Sequence, residues 1–131
     1  DFDKFKEVND GLGHDTGDAV LCCVADVIQH HVRVGDIVGR LGGDEFALLM
    51  PGMDSTGADH YVKTLRQRLL AAMHEGDWPV TFSMGVASYR AAPRDLDALL
   101  STADGLMYEV KSGGGDHILL RTFDAGCEEG N

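Results

Sequence analysis

Residues 42–46 carry the side chains best suited to chemistry: two glycines come directly before two acids, Asp44 and Glu45. Apolar runs at 36–41 and 46–50 flank them, a pattern typical of a β-hairpin whose turn glycines adopt positive φ. Glycines also let a large ligand approach the backbone, and neighbouring carboxylates can hold a hard cation. The pattern indicates either a metal and ligand site at the hairpin tip or an ordinary turn with solvated acids.

Another acid lies at the start of the chain. Asp1 belongs to a short stretch that has the character of a strand end, 1–3. If this strand neighbours the hairpin, Asp1 converges with Asp44 and Glu45. Mg²⁺ prefers a few protein oxygens together with phosphate oxygens, so such a set suits it. The alternative is a turn-forming Asp and an exposed Glu.

Other candidate residues are less specific. Lys6 and Lys111 are either surface lysines or contacts to a phosphate near the metal. Asn9, His14 and Asp18 accompany a glycine-rich stretch, and Asn and Asp can read the edge of a nucleotide base. The alternative is an N-cap at Asp18 and a loop histidine.

Arg33 and Asp36 stand three residues apart. Such a pair is usually a local ion pair that contributes under about 1 kcal/mol. An arginine can also clamp a phosphate or stack on a base. Both interpretations stay open from the residues alone.

Composition limits the class of protein. The 131 residues are 44% apolar, enough for one globular domain with a core. A net charge of −11 argues against a broad basic surface for a nucleic-acid polymer, although a nucleotide can bind through a metal and a few lysines. No apolar run approaches the ~18–20 residues of a membrane span. The three cysteines show neither a disulfide framework nor zinc spacing, which fits a reducing, cytoplasmic setting.

Periodicity places these residues on alternating helices and strands. Helical patterns cover 4–10, 18–32, 55–74 and 95–112, and strand patterns cover 81–89 and 118–120 besides the hairpin. A loop is expected at 11–17. Because one strand pair is a hairpin, we predict an α/β fold of α+β type, with a mixed central sheet of about five strands and surrounding helices. One domain is expected over 1–121, followed by a flexible tail at 122–131.

Several ordered blocks together resemble the GGDEF domain of bacterial diguanylate cyclases. Residues 42–46 spell the family signature, and residues 1–6 are similar to the family's Asp-x-Asp-x-Phe-Lys. Further matching blocks lie at 9–10, 13–18, 40–41, 83–86 and 103–111. The resemblance covers nearly the whole chain.

The resemblance implies an enzyme of bacterial signalling that joins two GTP molecules into cyclic di-GMP and releases two pyrophosphates. It implies a palm-like fold similar to that of nucleotide cyclases and polymerases. Each domain would hold one GTP, so two active sites have to face one another in a homodimer. Mg²⁺ is the implied cofactor, with Mn²⁺ as a possible substitute, and an upstream sensory domain is the implied partner.

Carried over by position, the resemblance gives each candidate residue a role. Asp1, the Phe2 carbonyl, Asp44 and Glu45 would bind metal. Asp44, Glu45 and Lys6 would act in catalysis, with Lys6 steadying the transition state. The substrate would be bound by a larger set: Phe5, Lys6, Asn9, His14, Asp18, Gly42, Gly43 and Lys111.

The resemblance also implies product inhibition. In this family an Arg-x-x-Asp placed five residues before the signature is an inhibitory site for cyclic di-GMP, and Arg33 and Asp36 stand at that spacing.

Two departures accompany the match. After Lys111 the family has Gly, then Arg or Lys, then Asn, whereas this chain has Gly114-Gly115-Asp116. One phosphate-binding cation is thus missing, and Arg121 is a candidate substitute. The family's first helix and most of its first strand are also missing, so we expect residues upstream of Asp1.

Two alternatives remain beside an active cyclase. One is a catalytically weak or inactive domain that binds GTP or cyclic di-GMP as a regulatory module. The other, less favoured by Asn9 and Asp18, is a nucleotide cyclase acting on a single substrate molecule.

Overall fold

The computed structural model describes residues 1–91, 93 and 95–123. The helices in these residues are α1 (Phe5–Leu12), α2 (His14–His31), α3 (Ser55–Glu75) and α4 (Leu96–Ser112). The strands are β1 (Phe2–Asp3), β2 (Ile37–Gly42), β3 (Glu45–Leu49), β4 (Thr81–Phe82), β5 (Met84–Tyr89) and β6 (Ile118–Phe123). Within the described part of the chain, no helix is long and apolar enough to cross a membrane.

The chain divides into two compact units. The first comprises Asp1–Pro51 and Val62–Phe82, and the second comprises Gly52–Tyr61 and the described residues from Ser83 onward. The strands pair as β1 with β4, β2 with β3, and β5 with β6. The predicted mixture of helices with parallel and antiparallel strands is therefore present. Among the described residues these strands form three two-stranded ladders, and the β1–β4 ladder ends after two residue pairs.

Two helical stripes supply most of the core of the first unit. Every fourth residue of α2 is buried from Val20 through Val24 to Ile28, as the sequence periodicity predicts. The part of α3 in this unit buries a similar stripe. The stripe consists of Val62, Leu65, Leu69 and Met73, and the remaining buried apolar residues of this unit are Phe2, Phe5, Val8, Val80 and Phe82.

The second unit is built on a parallel pair. β5 and β6 run in register from Met84 opposite Ile118 to Tyr89 opposite Phe123, and α4 packs on them. Asp95 caps α4, because its Oδ1 accepts a 2.7 Å hydrogen bond from the Ala98 N–H.

The expected loop at 11–17 is wrong. α1 continues to Leu12 and α2 begins at His14, so Gly13 alone separates them. Gly13 has φ +94°, in the left-handed region that glycine adopts without steric cost. Its N–H still bonds the Asn9 carbonyl at 3.1 Å, and its carbonyl accepts the Gly17 N–H at 3.2 Å. The glycine-rich segment therefore forms a one-residue junction between two helices and not a loop.

The strand boundaries near 81–89 and 118–120 also differ from the prediction. Ser83 interrupts the first run, and its Oγ accepts a 3.3 Å hydrogen bond from the Asp116 N–H. β6 extends to Phe123, so the first two residues of the predicted tail belong to a strand. Residues 124–131 of that tail lie outside the described residues.

Candidate active site

The hairpin at the candidate site forms as predicted but for a different reason. β2 and β3 pair from Ile37 opposite Leu49 to Gly42 opposite Glu45, with a bulge between Arg40 and Gly42. The expectation of positive φ at the turn glycines is wrong, since neither Gly42 nor Gly43 adopts it. A Cβ built on either glycine meets no atom within 4 Å. These glycines therefore leave open surface above the turn.

The start of the chain lies directly beside this turn. The Phe2 N–H donates a 3.2 Å hydrogen bond to the Asp44 carbonyl oxygen. The Phe2 ring is only 3% exposed and stacks on Phe46 at a centroid distance of 5.8 Å. Edge contacts to Phe5 and Phe82, at 5.4 and 5.3 Å, hold it from two further sides. The hairpin tip is thus fixed to β1, α1 and β4 through one aromatic cluster.

The three acids near the hairpin turn differ in how far they are buried. Asp1 has a buried Oδ1, whereas Asp44 and Glu45 are partly exposed. No three Asp, Glu, His or Cys side chains of the described residues are grouped so as to hold a metal. The predicted convergence of all three carboxylates is therefore absent as a ready-made cluster.

A smaller donor set nevertheless fits the implied cation. Asp1 Oδ1 is buried, and a cation is one of the partners that stabilise a buried carboxylate oxygen. Mg²⁺ commonly uses one or two carboxylates and completes its shell with phosphate oxygens and water. Asp1, the Phe2 carbonyl and Asp44 belong to two backbone segments joined by a hydrogen bond, and they supply oxygen donors of this kind.

Two residues of this region were not found from the sequence. Asp3 accepts a 2.9 Å hydrogen bond from Thr81 Oγ1, which pins β1 against β4. Arg40 donates from Nε to the Gly42 carbonyl at 3.0 Å and from Nη2 to the Gly43 carbonyl at 2.7 Å. The sequence signal for the Arg40 contacts is the position of this arginine two residues before a glycine pair.

The residues expected to contact the base are on α1 and α2. Asn9 packs against the buried Gly17, so that a Cβ at Gly17 would overlap Asn9 Oδ1. His14 begins α2 and is exposed, and Asp18 is exposed one turn later. Asp18 is therefore inside the helix, not the N-cap considered as its alternative role, and the observed N-cap is Gly13.

The two candidate phosphate lysines lie on different helices. Lys6 is exposed on α1 of the first unit. Lys111 is part-buried in the last turn of α4 in the second unit. Their contacts to substrate stay predictions.

Comparison with known proteins decides the family. Residues 1–117 match the family described as "Diguanylate cyclase, GGDEF domain". The chain belongs to the GGDEF family. Diguanylate cyclase DgcM of Escherichia coli is 35% identical over 119 residues, which cover 91% of this chain and 29% of DgcM. The GGDEF domain thus spans under a third of that relative's length.

Solved structures confirm the predicted fold. The isolated GGDEF domain of TpbB, also named YfiN, from Pseudomonas aeruginosa superposes with a TM-score of 0.74 at 36% identity, covering 92% of this chain and 72% of that one. The GGDEF domain of DgcB from Caulobacter crescentus, solved in complex with cyclic di-GMP, gives 0.72 at 25% identity, covering 92% and 73%. The palm-like α/β class is therefore established for this GGDEF domain.

The Arg33 and Asp36 pair of this GGDEF domain is tightly built. Asp36 accepts from the Arg33 backbone N–H at 2.8 Å and from Nη2 at 2.8 Å, with Nε at 3.2 and 3.3 Å from its two oxygens. The Arg33 Nη2 also donates to the Pro51 carbonyl at 3.1 Å. The Asp36 side chain is 0% exposed and that of Arg33 is 43% exposed. The arginine is thus the member of the pair that solvent reaches.

The end of α4 differs from the family pattern in this GGDEF domain. Arg121, considered as a substitute for the missing cation, forms a two-pronged ion pair with Glu109 at 3.1 and 3.2 Å. A cavity of about 460 Å³ lies beside this pair. Its lining is Glu109, Val110, Gly113, Gly115, Asp116, His117, Leu119 and Arg121. The charge of Arg121 is already balanced by Glu109, which disfavours it as the replacement.

Proposed function

We propose that this domain is a diguanylate cyclase that condenses two GTP molecules into cyclic di-GMP and releases two pyrophosphates. The hydrogen bond from the Phe2 N–H to the Asp44 carbonyl carries the proposal. It brings the acidic start of β1 beside the acidic hairpin turn, which is the arrangement a metal-dependent nucleotidyl transfer needs. Cyclic di-GMP bound to the related DgcB domain supports the choice of product.

Asp1, Asp44 and the Phe2 carbonyl would hold Mg²⁺ or Mn²⁺, with Glu45 as a further candidate ligand. When bound, the metal would neutralise the triphosphate and make its α-phosphorus more electrophilic. The burial of Asp1 Oδ1 supports this assignment, because a cation relieves the cost of a desolvated carboxylate.

The chain's own residues would position the substrate and move the proton. The open surface above Gly42 and Gly43 gives the phosphates room to lie against the turn. Lys6 and Lys111 would balance phosphate charge, and Asp44, assisted by Glu45, would accept the proton of the attacking 3′-hydroxyl.

Nucleotide selectivity would come from the junction of α1 and α2. Asn9, His14 and Asp18 would contact guanine and ribose, and Phe5 would border the substrate. The packing of Asn9 on Gly17 supports a fixed place for the amide, whose donor and acceptor suit a base edge.

The reaction needs two copies, since each domain would hold one GTP and each 3′-hydroxyl has to attack the α-phosphorus of the GTP held by the other copy, with pyrophosphate leaving. An upstream sensory domain would control this homodimer. DgcM, of which the GGDEF domain covers 29%, has ample length for such a domain. Cytoplasmic placement of this domain is part of the proposal.

Arg33 and Asp36 would form an inhibitory product site. Because Arg33 is exposed and Asp36 is buried, Arg33 would contact cyclic di-GMP while Asp36 holds the guanidinium in place. Calorimetry with cyclic di-GMP tests this: the affinity should fall at least about 10-fold in Arg33→Lys, which keeps the charge and loses the fork. Unchanged affinity in that variant would remove the assignment.

A regulatory module that binds GTP or cyclic di-GMP without turnover is the second candidate. The ion pair between Arg121 and Glu109 favours it, because the missing cation after Lys111 then has no replacement there.

Chromatography of nucleotides separates the two candidates. The dimeric protein is incubated with GTP and Mg²⁺, and then with Mn²⁺ in place of Mg²⁺. Cyclic di-GMP and pyrophosphate in a 1:2 ratio are expected for the cyclase. Nucleotide binding without any dinucleotide, in a preparation shown to be dimeric, would establish the regulatory alternative.

A further inference from the structure

We infer that Arg40 is a positioning residue for the reaction, and that it fixes the two peptide groups directly in front of Asp44. The inference rests on the proposed cyclase function. It assigns a role to a side chain that belongs neither to the proposed metal ligands nor to the proposed substrate contacts.

The contact is a clamp on the backbone of the turn. Arg40 Nε donates to the Gly42 carbonyl at 3.0 Å, and Nη2 donates to the Gly43 carbonyl at 2.7 Å. Both donors lie on one edge of the planar guanidinium, so their spacing is set by covalent geometry. One rigid group therefore binds two consecutive peptide units.

The bulge in β2 explains how the side chain reaches these oxygens. Arg40 pairs with Phe46, and the next pair is Gly42 with Glu45, so Leu41 is the extra residue. A bulge increases the local twist and redirects the side chains around it. Leu41 itself is 53% exposed, which is consistent with its place outside the regular ladder.

The clamp sets the direction of the amides on the far side of each peptide. The chain has no cis peptide bonds among its described residues, so the N–H of each unit points opposite to its carbonyl. With the Gly42 and Gly43 carbonyls held on Arg40, the N–H groups of Gly43 and Asp44 point away from the guanidinium. Successive N–H groups of a turn can face an anion, and here they belong to the proposed phosphate surface.

Phe2 completes the fixation from the other side. Its N–H holds the Asp44 carbonyl at 3.2 Å, which is the third consecutive peptide unit of the turn. Arg40 and Phe2 together restrain the backbone on both sides of the Asp44 Cα. Catalysis is sensitive to such restraint, because a misplacement of ~1 Å can cost ~100-fold in rate.

The hairpin does not depend on Arg40 for its existence. Five residue pairs join β2 and β3, and Arg40 and both glycines are exposed. Removing the guanidinium should therefore loosen the tip and leave the ladder intact. If Arg40 had only a structural role, its removal would lower the stability of the hairpin together with the reaction rate.

The test compares wild type with Arg40→Ala, Arg40→Lys and the control Arg68→Ala, an exposed arginine on α3 that contacts His31. Amide ¹⁵N relaxation is measured without nucleotide, and kcat and KM are measured for GTP. In Arg40→Ala we expect order parameters of Gly43 and Asp44 to fall from about 0.85 towards 0.6. We expect kcat to fall about 10- to 100-fold with KM changed less, since the turn is misplaced and not removed. Arg40→Lys should restore part of the order parameters and part of kcat. Arg68→Ala should change neither quantity.

Each result has a defined meaning. Unchanged order parameters in Arg40→Ala would overturn the clamp, whatever the activity. Loosened amides with an unchanged kcat would overturn the positioning role. A wild-type protein that forms no dinucleotide, while Arg40→Ala still loosens the turn, would refute the proposed function and support the clamp. If Arg40→Ala fails to fold, the same readings are taken from Arg40→Lys.

Discussion

The carboxylate of Asp36 is buried beside Arg33, which forms a two-pronged ion pair with it. The side chain of Asp36 is 0% exposed, and the shortest contacts between the two residues are 2.8 Å. The sequence offered a weak surface pair as one interpretation. The observed burial makes the aspartate dependent on its partner, because a buried charge that loses its counter-ion is strongly unfavourable.

Arg33→Ala should therefore lower the free energy of unfolding by about 1–3 kcal/mol. The matched control is Arg121→Ala, whose pair with Glu109 is half exposed on both sides and should contribute about 0–1 kcal/mol. Urea denaturation followed by circular dichroism measures both. Equal losses in the two variants would contradict the special role of burial at Asp36.

Asp44→Asn should reduce the rate of dinucleotide formation by about 100-fold or more, because an amide cannot accept the proton from the 3′-hydroxyl. The Phe2 hydrogen bond uses the backbone of Asp44, so the fold of the turn should persist. Asp26→Asn, at an exposed aspartate of α2, is the control and should retain activity. Product chromatography gives the rate, and activity equal to wild type in Asp44→Asn would exclude this proton acceptor.

Gly85→Ala should destabilise the protein by about 1–3 kcal/mol, the usual cost of overpacking. A Cβ at Gly85 would collide with the backbone of α4 at Ala103 and Met107, which cannot move like a side-chain end. Gly39→Ala is the matched strand control, since no atom lies within 4 Å of its added Cβ. Thermal unfolding should separate the variants by several degrees, and a separation of zero would mean that α4 does not lie this close to β5.

Cys22 should be alkylated before Cys23 in the folded protein. Cys22 is exposed, whereas burial, followed by the charges of Asp26 and Glu75, raises the pKa of the Cys23 thiol. The thiolate is the reactive form, so the rate at Cys23 should keep rising with pH above the ordinary thiol value of about 8.5. Peptide mass spectrometry after timed iodoacetamide treatment at pH 7 to 10 measures the extent of alkylation at each cysteine. Faster labelling of Cys23 at pH 7 would contradict this order.

Patterns that depend on one repeated spacing were predictable from the sequence. The four-residue recurrence of Val20, Val24 and Ile28 identifies the buried face of α2, since it follows directly from helix geometry. The order of motifs identified the family from 42–46 and its flanking blocks. These features are carried by local residue order and need no knowledge of distant contacts.

Features that depend on distant contacts or on exact backbone geometry were not predictable. The helix continues past Gly11 to Leu12, and Asn9 packs against Gly17 of the next helix, a contact that the pattern of helix-breaking residues does not reveal. The Arg40 clamp depends on the bulge at Leu41, and an arginine two residues before a glycine pair does not by itself reveal that bulge. The glycines at 42 and 43 were assigned to positive φ, while the structure uses their lack of a side chain.

The Asn9 amide occupies the place that a side chain at Gly17 would take, so these two positions have to be considered together in protein engineering. A methyl group added there would meet the movable end of Asn9, not main-chain atoms, so the amide would turn away at little cost in stability. Gly17→Ala would thus change the proposed guanine contact without altering any residue assigned to it. A mutagenesis screen for altered base preference that varies only the residues proposed to contact the base would therefore miss Gly17, which lies against the Asn9 amide.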